Sequence, residues 1–532
     1  MRLIQDSYLG TVDFGGRVNP TITGRPRGGL FLGDMKNATG LNYTQGSGGY
    51  MSLLSTSTNG GVAKSFTGTL TIANDSILVI DSPSSFGSAT VLNINSTNYS
   101  TLQLQGAGTI TLSGSLALSS VAAGAFMVNT PSGATLTIPG SITVLTTGIF
   151  YKTGLGTLVL SGNATGGAST GGLQVRAGTL RLDAATKGSS VWTAGQGLTL
   201  GVASGTFGNG GTLEITGTSA QTFGAVTVNA KANTIRLTGA MALTLGVITR
   251  TTGSTLNLSV ATGGTVVSTT TALQSLVNGA TTWNGDDWAA ASGSAITRFT
   301  AYDALTGTLS APTITTGASI TTTKNYIISG ATTNNVGLAT AGTLLLPVYI
   351  NTIKYNDTLD RTLNIGSAGF LRLGTVAATG GVTAAGGILV ASGSGALTIG
   401  VSGSAGTIMA GGTTTSSGLG DLVFINNSTS NITVNSVISY NGATTAVTHV
   451  VYNGMSTGKL ILAGANTFNG TLFINSGTLE VATVNLAVAS GPLGKSSAGV
   501  GNILLNGGTF RANLSANGTT DHGFTINAPS TI

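Results

Sequence analysis

Cysteine is absent from the 532 residues, so the chain has no disulfide framework, no thiol nucleophile and no thiolate metal site. Charge is scarce too: Asp, Glu, Lys and Arg make up 7% of the residues, where globular domains average about a quarter. Disorder needs low hydrophobicity and high charge, and a mean hydropathy of +0.35 is the reverse. Long hydrophobic runs are also missing. A membrane-spanning helix needs roughly 18 consecutive apolar residues, and here Gly, Ser, Thr or Asn interrupts every few positions. The amino terminus, MRLIQDSYLG, has no apolar stretch of signal-peptide length. Helical patterning is equally thin, its best stretch being Thr271 to Val277, too short to stand alone.

The 21 basic residues exceed the 15 acidic ones, but they are spread along the whole chain. The nearest cluster, Arg17, Arg25, Arg27 and Lys36, is interrupted by Gly, Pro and Asp34. Nucleic-acid binders concentrate their cations on one face, so no nucleic-acid partner is expected.

What the chain does have is glycine, 83 residues of it, and a recurring unit of Thr, apolar, any residue, apolar. The unit starts at Thr135, Thr157 and Thr179, in steps of 22, and again at Thr212, Thr234 and Thr255, in steps of 22 and 21. Alternation over four or five residues is the period of a strand with one buried face. Long residues such as Arg181, Glu214 and Arg236 fall at the outward positions, and Gly-Gly, Asn-Gly and Ser-Gly steps between units suit tight turns. A sandwich turns every 8 to 12 residues and a propeller blade needs about 40, so neither fits this period. One coil of a parallel solenoid does fit.

The expectation is therefore an all-β, right-handed parallel β-helix (β-solenoid) of roughly 20–22 coils, rising about 4.8 Å per coil into one rod on the order of 100 Å long. Residues 1–60 lack the unit and are expected to form an amino-terminal cap or leader. The β-helix follows over 61–264, an irregular or protruding coil region over 265–335, and a second β-helical segment over 336–532. The last segment ends on strand-like sequence without a cap, so the chain is expected to be a fragment continued by more coils and an anchor.

Two stretches carry a family resemblance. Residues 152–165 read KTGLGTLVLSGNAT and are followed by VRAGTLRL at 175–182; residues 458–471 read GKLILAGANTFNGT and are followed by INSGTLEV at 474–481. These resemble the autotransporter-associated β-strand repeat, also called the passenger-associated transport repeat. Its motif positions here are Gly156, Thr157, Leu158, Leu160, Gly178, Thr179 and Leu180 in the first copy. In the second they are Gly458, Leu460, Leu462, Gly477, Thr478 and Leu479. The first copy carries a three-residue insertion around Gly166 to Thr170. The resemblance implies a β-helical passenger region of a secreted or outer-membrane-anchored surface protein, with the anchor in the rest of the parent chain, no catalytic residue and no cofactor.

Enzymes also use parallel β-helices, so catalysis would have to rest on particular residues. Asp286 and Asp287 resemble the paired carboxylates of polygalacturonases, and His522-Gly523 their His-Gly element. In a single rod the 235 residues between Asp287 and His522 make about eleven coils, on the order of 50 Å. Paired glycosidase carboxylates must lie within about 5 to 9.5 Å, which excludes that arrangement. His449 and His522 have no neighbouring His or Cys with metal-ligand spacing, so no metal is expected. Trp283, Trp288, Phe299 and Tyr302 are concentrated in one region. They are candidates for contact with a host-surface or extracellular polysaccharide ligand, set against the simpler reading of aromatics packed inside a widened coil.

Overall fold

The computed structural model describes residues 7–532 except 10–11, 25–28, 33–34, 46–49, 54–66, 74–75, 96–98, 121–123, 145–147, 166–171, 204–207, 270–278, 306–319, 322–323, 331–334, 338–347, 368, 375–383, 404, 411–419, 441–446 and 497–498. Thr271 to Val277, the Gly166 to Thr170 insertion, Arg25 and Arg27 lie outside the described residues.

The chain coils into two parallel β-solenoids, and the described helical content is one four-residue α-helix, Ala184–Lys187, with a 3-10 turn at Pro83–Phe86. The first solenoid is built on an 11-stranded sheet running from Ser7–Leu9 to Ile248–Arg250, and the second on a 9-stranded sheet running from Asp303–Ala304 to His522–Ile526. Two further faces complete each coil. Strands within a face pair in parallel with the coils below and above, as Thr135, Thr157, Thr179, Thr212 and Thr234 do in turn. Strands of the first 60 residues, such as Gly29–Leu32 and Tyr50–Leu53, pair in these same parallel sheets.

The apolar ladder follows the strand alternation. Leu136, Leu158, Leu180, Leu213 and Ile235 stack inward, while Val159, Arg181, Glu214 and Arg236 stack outward. One register differs from the sequence reading: Thr234 pairs with Asn257 rather than Thr255, and Ile235 with Leu258. A slip of two residues keeps every side chain on its own face, so the pattern tolerates it.

The single rod is the larger correction. At the end of the first solenoid the strand Thr281–Trp283 pairs antiparallel with Asp287–Ser292, which pairs antiparallel with Ala295–Arg298. This meander bridges two faces of the last coil, because Thr281–Trp283 continues one sheet and Ala295–Arg298 lies against Thr265–Ser268 of the other. The chain then doubles back. Ala280 and Trp288 lie in one cluster with Leu389, and Gly253 approaches Phe473. Further back along the first solenoid, Lys231 meets Asn506, and the amide of Gly208 donates to the carbonyl of Asn527. Descending numbers on one solenoid thus match ascending numbers on the other, so the two run antiparallel, side by side.

The reason is written in the second solenoid. In Gly420–Asn426 every residue is buried, because Leu422 and Phe424 face the solenoid's own core while Val423 and Ile425 face its neighbour. Val423, Val451, Phe473 and Leu504 form a continuous outward ladder in register. Exposed, such a ladder would be a large apolar patch, and covering it drives the pairing. Close approach is needed: a Cβ on Gly387 would sit 2.3 Å from the ring of Trp288, which is fully buried.

Candidate functional site

Each repeat copy occupies one coil and the turn into the next. In the first, Ile149–Thr153 enters the corner, Thr157–Leu160 leaves it, and Gly178–Asp183 stacks directly above. Leu158, Leu160 and Leu180 are inward and fully buried, as are Leu460, Leu462 and Leu479 in the second copy. Thr157 and Thr478 begin their strands, Thr179 is second in its own, and all three are half-buried. The motif glycine Gly156 has a steric cause, since a Cβ there would lie 2.2 Å from the carbonyl oxygen of Pro131 in the coil below. The other motif glycines, Gly178, Gly458 and Gly477, sit at the same kind of crowded turn.

A polar side chain closes the corner from inside. Lys152 is fully buried, and its Nζ donates to the carbonyls of Thr153 and Gly154 at 2.7 Å and of Ala177 at 3.1 Å. Burial pushes the ammonium down to about 7. In the second copy Tyr452 stands there instead, its hydroxyl donating to the Gly458 carbonyl at 2.8 Å. These corner residues were missed in the sequence because each lies on an otherwise apolar strand.

Each copy is followed by a longer coil. Thr179 to Thr212 spans 33 residues and Thr478 to Thr509 spans 31, against 22 from Thr157 to Thr179. The extra length docks on the middle of the repeat. In the first copy the amide of Ala164 donates to Val191 and that of Thr193 to Ala164, seating Trp192 5.8 Å from Phe150 in the core. In the second, Asn466 donates to the Pro492 carbonyl and accepts from the Ile438 amide. That loop borders a shallow groove of about 350 Å³ lined by Tyr440, Thr467, Asn469, Val488, Lys495 and Ser496. The lining has no carboxylate or imidazole with which to run acid–base chemistry.

On the outer face both copies carry charges of alternating sign. Glu214 accepts from Arg181 at 2.5 Å and Arg236 at 3.1 Å; Glu480 accepts from Lys459 at 2.8 Å and lies 3.5 Å from Arg511. The hydrogen bond from Lys459 holds the Glu480 carboxyl below its ordinary range.

Of the four aromatics, Trp288 is fully buried, whereas Trp283, Phe299 and Tyr302 are half-buried. Trp288 is enclosed between the solenoids, Trp283 packs against the first core, and Phe299 and Tyr302 meet edge to face at 4.7 Å beside the inter-solenoid cluster. The Tyr302 hydroxyl accepts from the Trp288 amide and donates to Asp287; burial raises its pKa. Asp287 is ion-paired with Lys354 and Arg298, while Asp286 accepts from the amide and hydroxyl of Ser392 and from Asn427, each at 2.7 Å. Both carboxylates thus pin one solenoid to the other. His522 lies on the last strand of the 9-stranded sheet, six strands from that of Lys354, which places it on the order of 30 Å from the lysine that pairs with Asp287. That is shorter than the single rod implies but still outside catalytic reach. No group of three or more His, Asp or Glu with metal-holding geometry occurs among the described residues.

The family described as passenger-associated-transport-repeat matches residues 150–182 and 456–481. Among curated proteins, the Adhesin BmaC autotransporter of Brucella suis biovar 1 (strain 1330) is 35% identical over 121 residues, covering 23% of this chain and 3% of that relative. No solved structure matches the chain. The matched residues are those that form the two corners and the strands stacked on them, and the chain is a β-solenoid carrying two stretches that match the passenger-associated transport repeat.

Proposed function

We propose that this chain is a section of the surface-exposed passenger of an autotransporter, acting as a structural, adhesin-like stalk whose repeats assist export. The observation that carries the reading is that both repeat matches fall on equivalent corners, each followed by a lengthened coil docked back onto the repeat. The corner and docked loop of each copy are thus joined by contacts between residues about one coil apart. A chain that emerges from an outer membrane unfolded and must coil in place gains from such contacts. The relative's printed name supports a role in adhesion, and the parent chain is inferred to carry the outer-membrane anchor.

The role is non-enzymatic on this reading: the candidate carboxylates and aromatics are engaged in packing, and a polysaccharide ligand draws no support from them. The test is to place the chain between a signal peptide and an autotransporter translocator and measure protease-accessible protein at the cell surface. Leu158→Asp combined with Leu460→Asp should lower surface display while leaving the total chain made unchanged. Equal display with both corners disrupted would overturn the export role.

A further inference from the structure

We propose that His449, Asp421 and Arg250 form an acid-operated latch between the two solenoids, in which a protonated His449 competes with Arg250 for the Asp421 carboxylate. Arg250 ends the last strand of the 11-stranded sheet, and Asp421 lies on the 9-stranded sheet opposite; both are buried. Both terminal nitrogens of Arg250 lie 2.6 Å from Oδ2 of Asp421, and the Gly253 amide donates to the same oxygen at 2.9 Å. Three donors from the first solenoid therefore converge on one oxygen. The other, Oδ1, is buried and has no hydrogen-bond partner.

The adjacent strand places His449 in register with Asp421, one inter-strand spacing of about 4.8 Å away. Its Nδ1 accepts from the Thr471 amide at 2.9 Å, so that nitrogen carries no proton and the ring is neutral. The charged groups acting on the ring are Asp421 from the preceding strand and Arg250 from the first solenoid; the following strand presents only Phe473, its ring 5.8 Å away. Burial lowers the histidine's pKa, Asp421 opposes that shift and Arg250 adds to it.

A proton arriving at Nδ1 breaks the bond to Thr471, because two N–H groups then face each other. The imidazolium is left beside an unused carboxylate oxygen in its own solenoid. Pairing with it divides the charge that holds Arg250 and sets a second cation next to that guanidinium. The remaining polar contacts along the seam, such as Lys231 with Asn506 and Asn475 with the Gly253 carbonyl, join it at other points. Acid therefore opens the seam locally, around Arg250 and the neighbouring Phe473, while the Asp286 and Asp287 contacts at the far end stay in place.

Because the chain has no cysteine, Val247→Cys and Leu486→Cys introduce a single pair of spin-label sites at exposed positions, one on each solenoid. The inter-label distance is measured by pulsed dipolar spectroscopy from neutral pH to about pH 5, a range in which histidine is the side chain that ordinarily titrates. The expected result is one short distance at neutral pH and a longer one in acid, with a midpoint below the ordinary histidine value of 6.5 and an unchanged strand signal in circular dichroism. His449→Gln, which still accepts from Thr471, should stay closed throughout. Arg250→Lys, with a weaker hold on Asp421, should move the midpoint to higher pH. A distance that does not change with pH, an acid response surviving in His449→Gln, or a midpoint unmoved by Arg250→Lys would each overturn the latch.

Discussion

Lys152 and Tyr452 occupy the same corner of the two repeat copies, one with an ammonium and the other with a phenol, and both donate to carbonyls of the turn. The corner demands a donor long enough to reach those oxygens, and buried carbonyls without one are costly, by about 1–3 kcal/mol each. Two chemically unrelated side chains meet the same demand.

The lysine solution depends on pH. Between about 7 and the ordinary 10.5 the unfolded chain holds a proton that the folded chain has released, so stability rises with pH through that window. Below it both states are protonated, and the burial penalty is present in full. Lys152→Met removes this slope. Urea midpoints of the wild type should rise from pH 7 to about pH 10 relative to those of the Met variant, by the order of a few kcal/mol in stability. Parallel midpoints would show that the ammonium carries no net penalty.

The inward ladder should be far less tolerant than the strand starts. Leu158→Asp or Leu460→Asp places a carboxylate in a fully buried column and should cost several kcal/mol, whereas Thr157→Ser should be nearly silent. Denaturation midpoints decide the point. Equal midpoints for both classes would contradict the assignment of faces.

The outward charges behave differently. Glu214→Gln removes the negative centre between two half-exposed arginines, so its cost should be about 0.5–1 kcal/mol and should shrink in high salt. Glu214→Lys, which stacks three cations in successive coils, should cost more. The salt dependence of the melting temperature distinguishes the two.

Trp288 tests the doubled architecture independently of the latch. Trp288→Ala removes the largest side chain between the solenoids, and losses for such truncations run about 3–5 kcal/mol. The radius of gyration from small-angle scattering should rise at neutral pH with strand content retained. An unchanged radius would mean that the ladder from Val423 to Leu504 holds the seam without it.

The parallel solenoid, the inward leucines and the outward Arg181, Glu214 and Arg236 were legible because alternation and a period near 22 residues are local signals. The doubling back was not. It rests on apolar residues at consecutive positions, as in Leu422-Val423-Phe424-Ile425, Leu472-Phe473-Ile474 and Ile503-Leu504-Leu505, which mark strands covered on both faces. That pattern could have revealed a second covered face, though not what covers it. The aromatics near 283–302 stand out in composition, but only tertiary contacts distinguish packing from display. Asp286 and Asp287 illustrate the same limit: adjacent acids look catalytic until their partners Ser392, Asn427, Lys354 and Arg298 are seen.

The antiparallel pairing of the solenoids gives the molecule two populations of contacts with very different sequence separation. Ladder contacts join residues mostly one coil apart, as Thr157 and Thr179 are, while the seam joins Arg250 to Asp421 across 171 positions and Lys231 to Asn506 across 275. Short-range contacts form fast and can propagate from any nucleus; long-range ones must await the loop closure that brings their ends together. Folding should therefore show a rapid phase in which coils add to coils and a slower, separate phase in which two finished stacks dock. The two halves are thus kinetically independent until the final step.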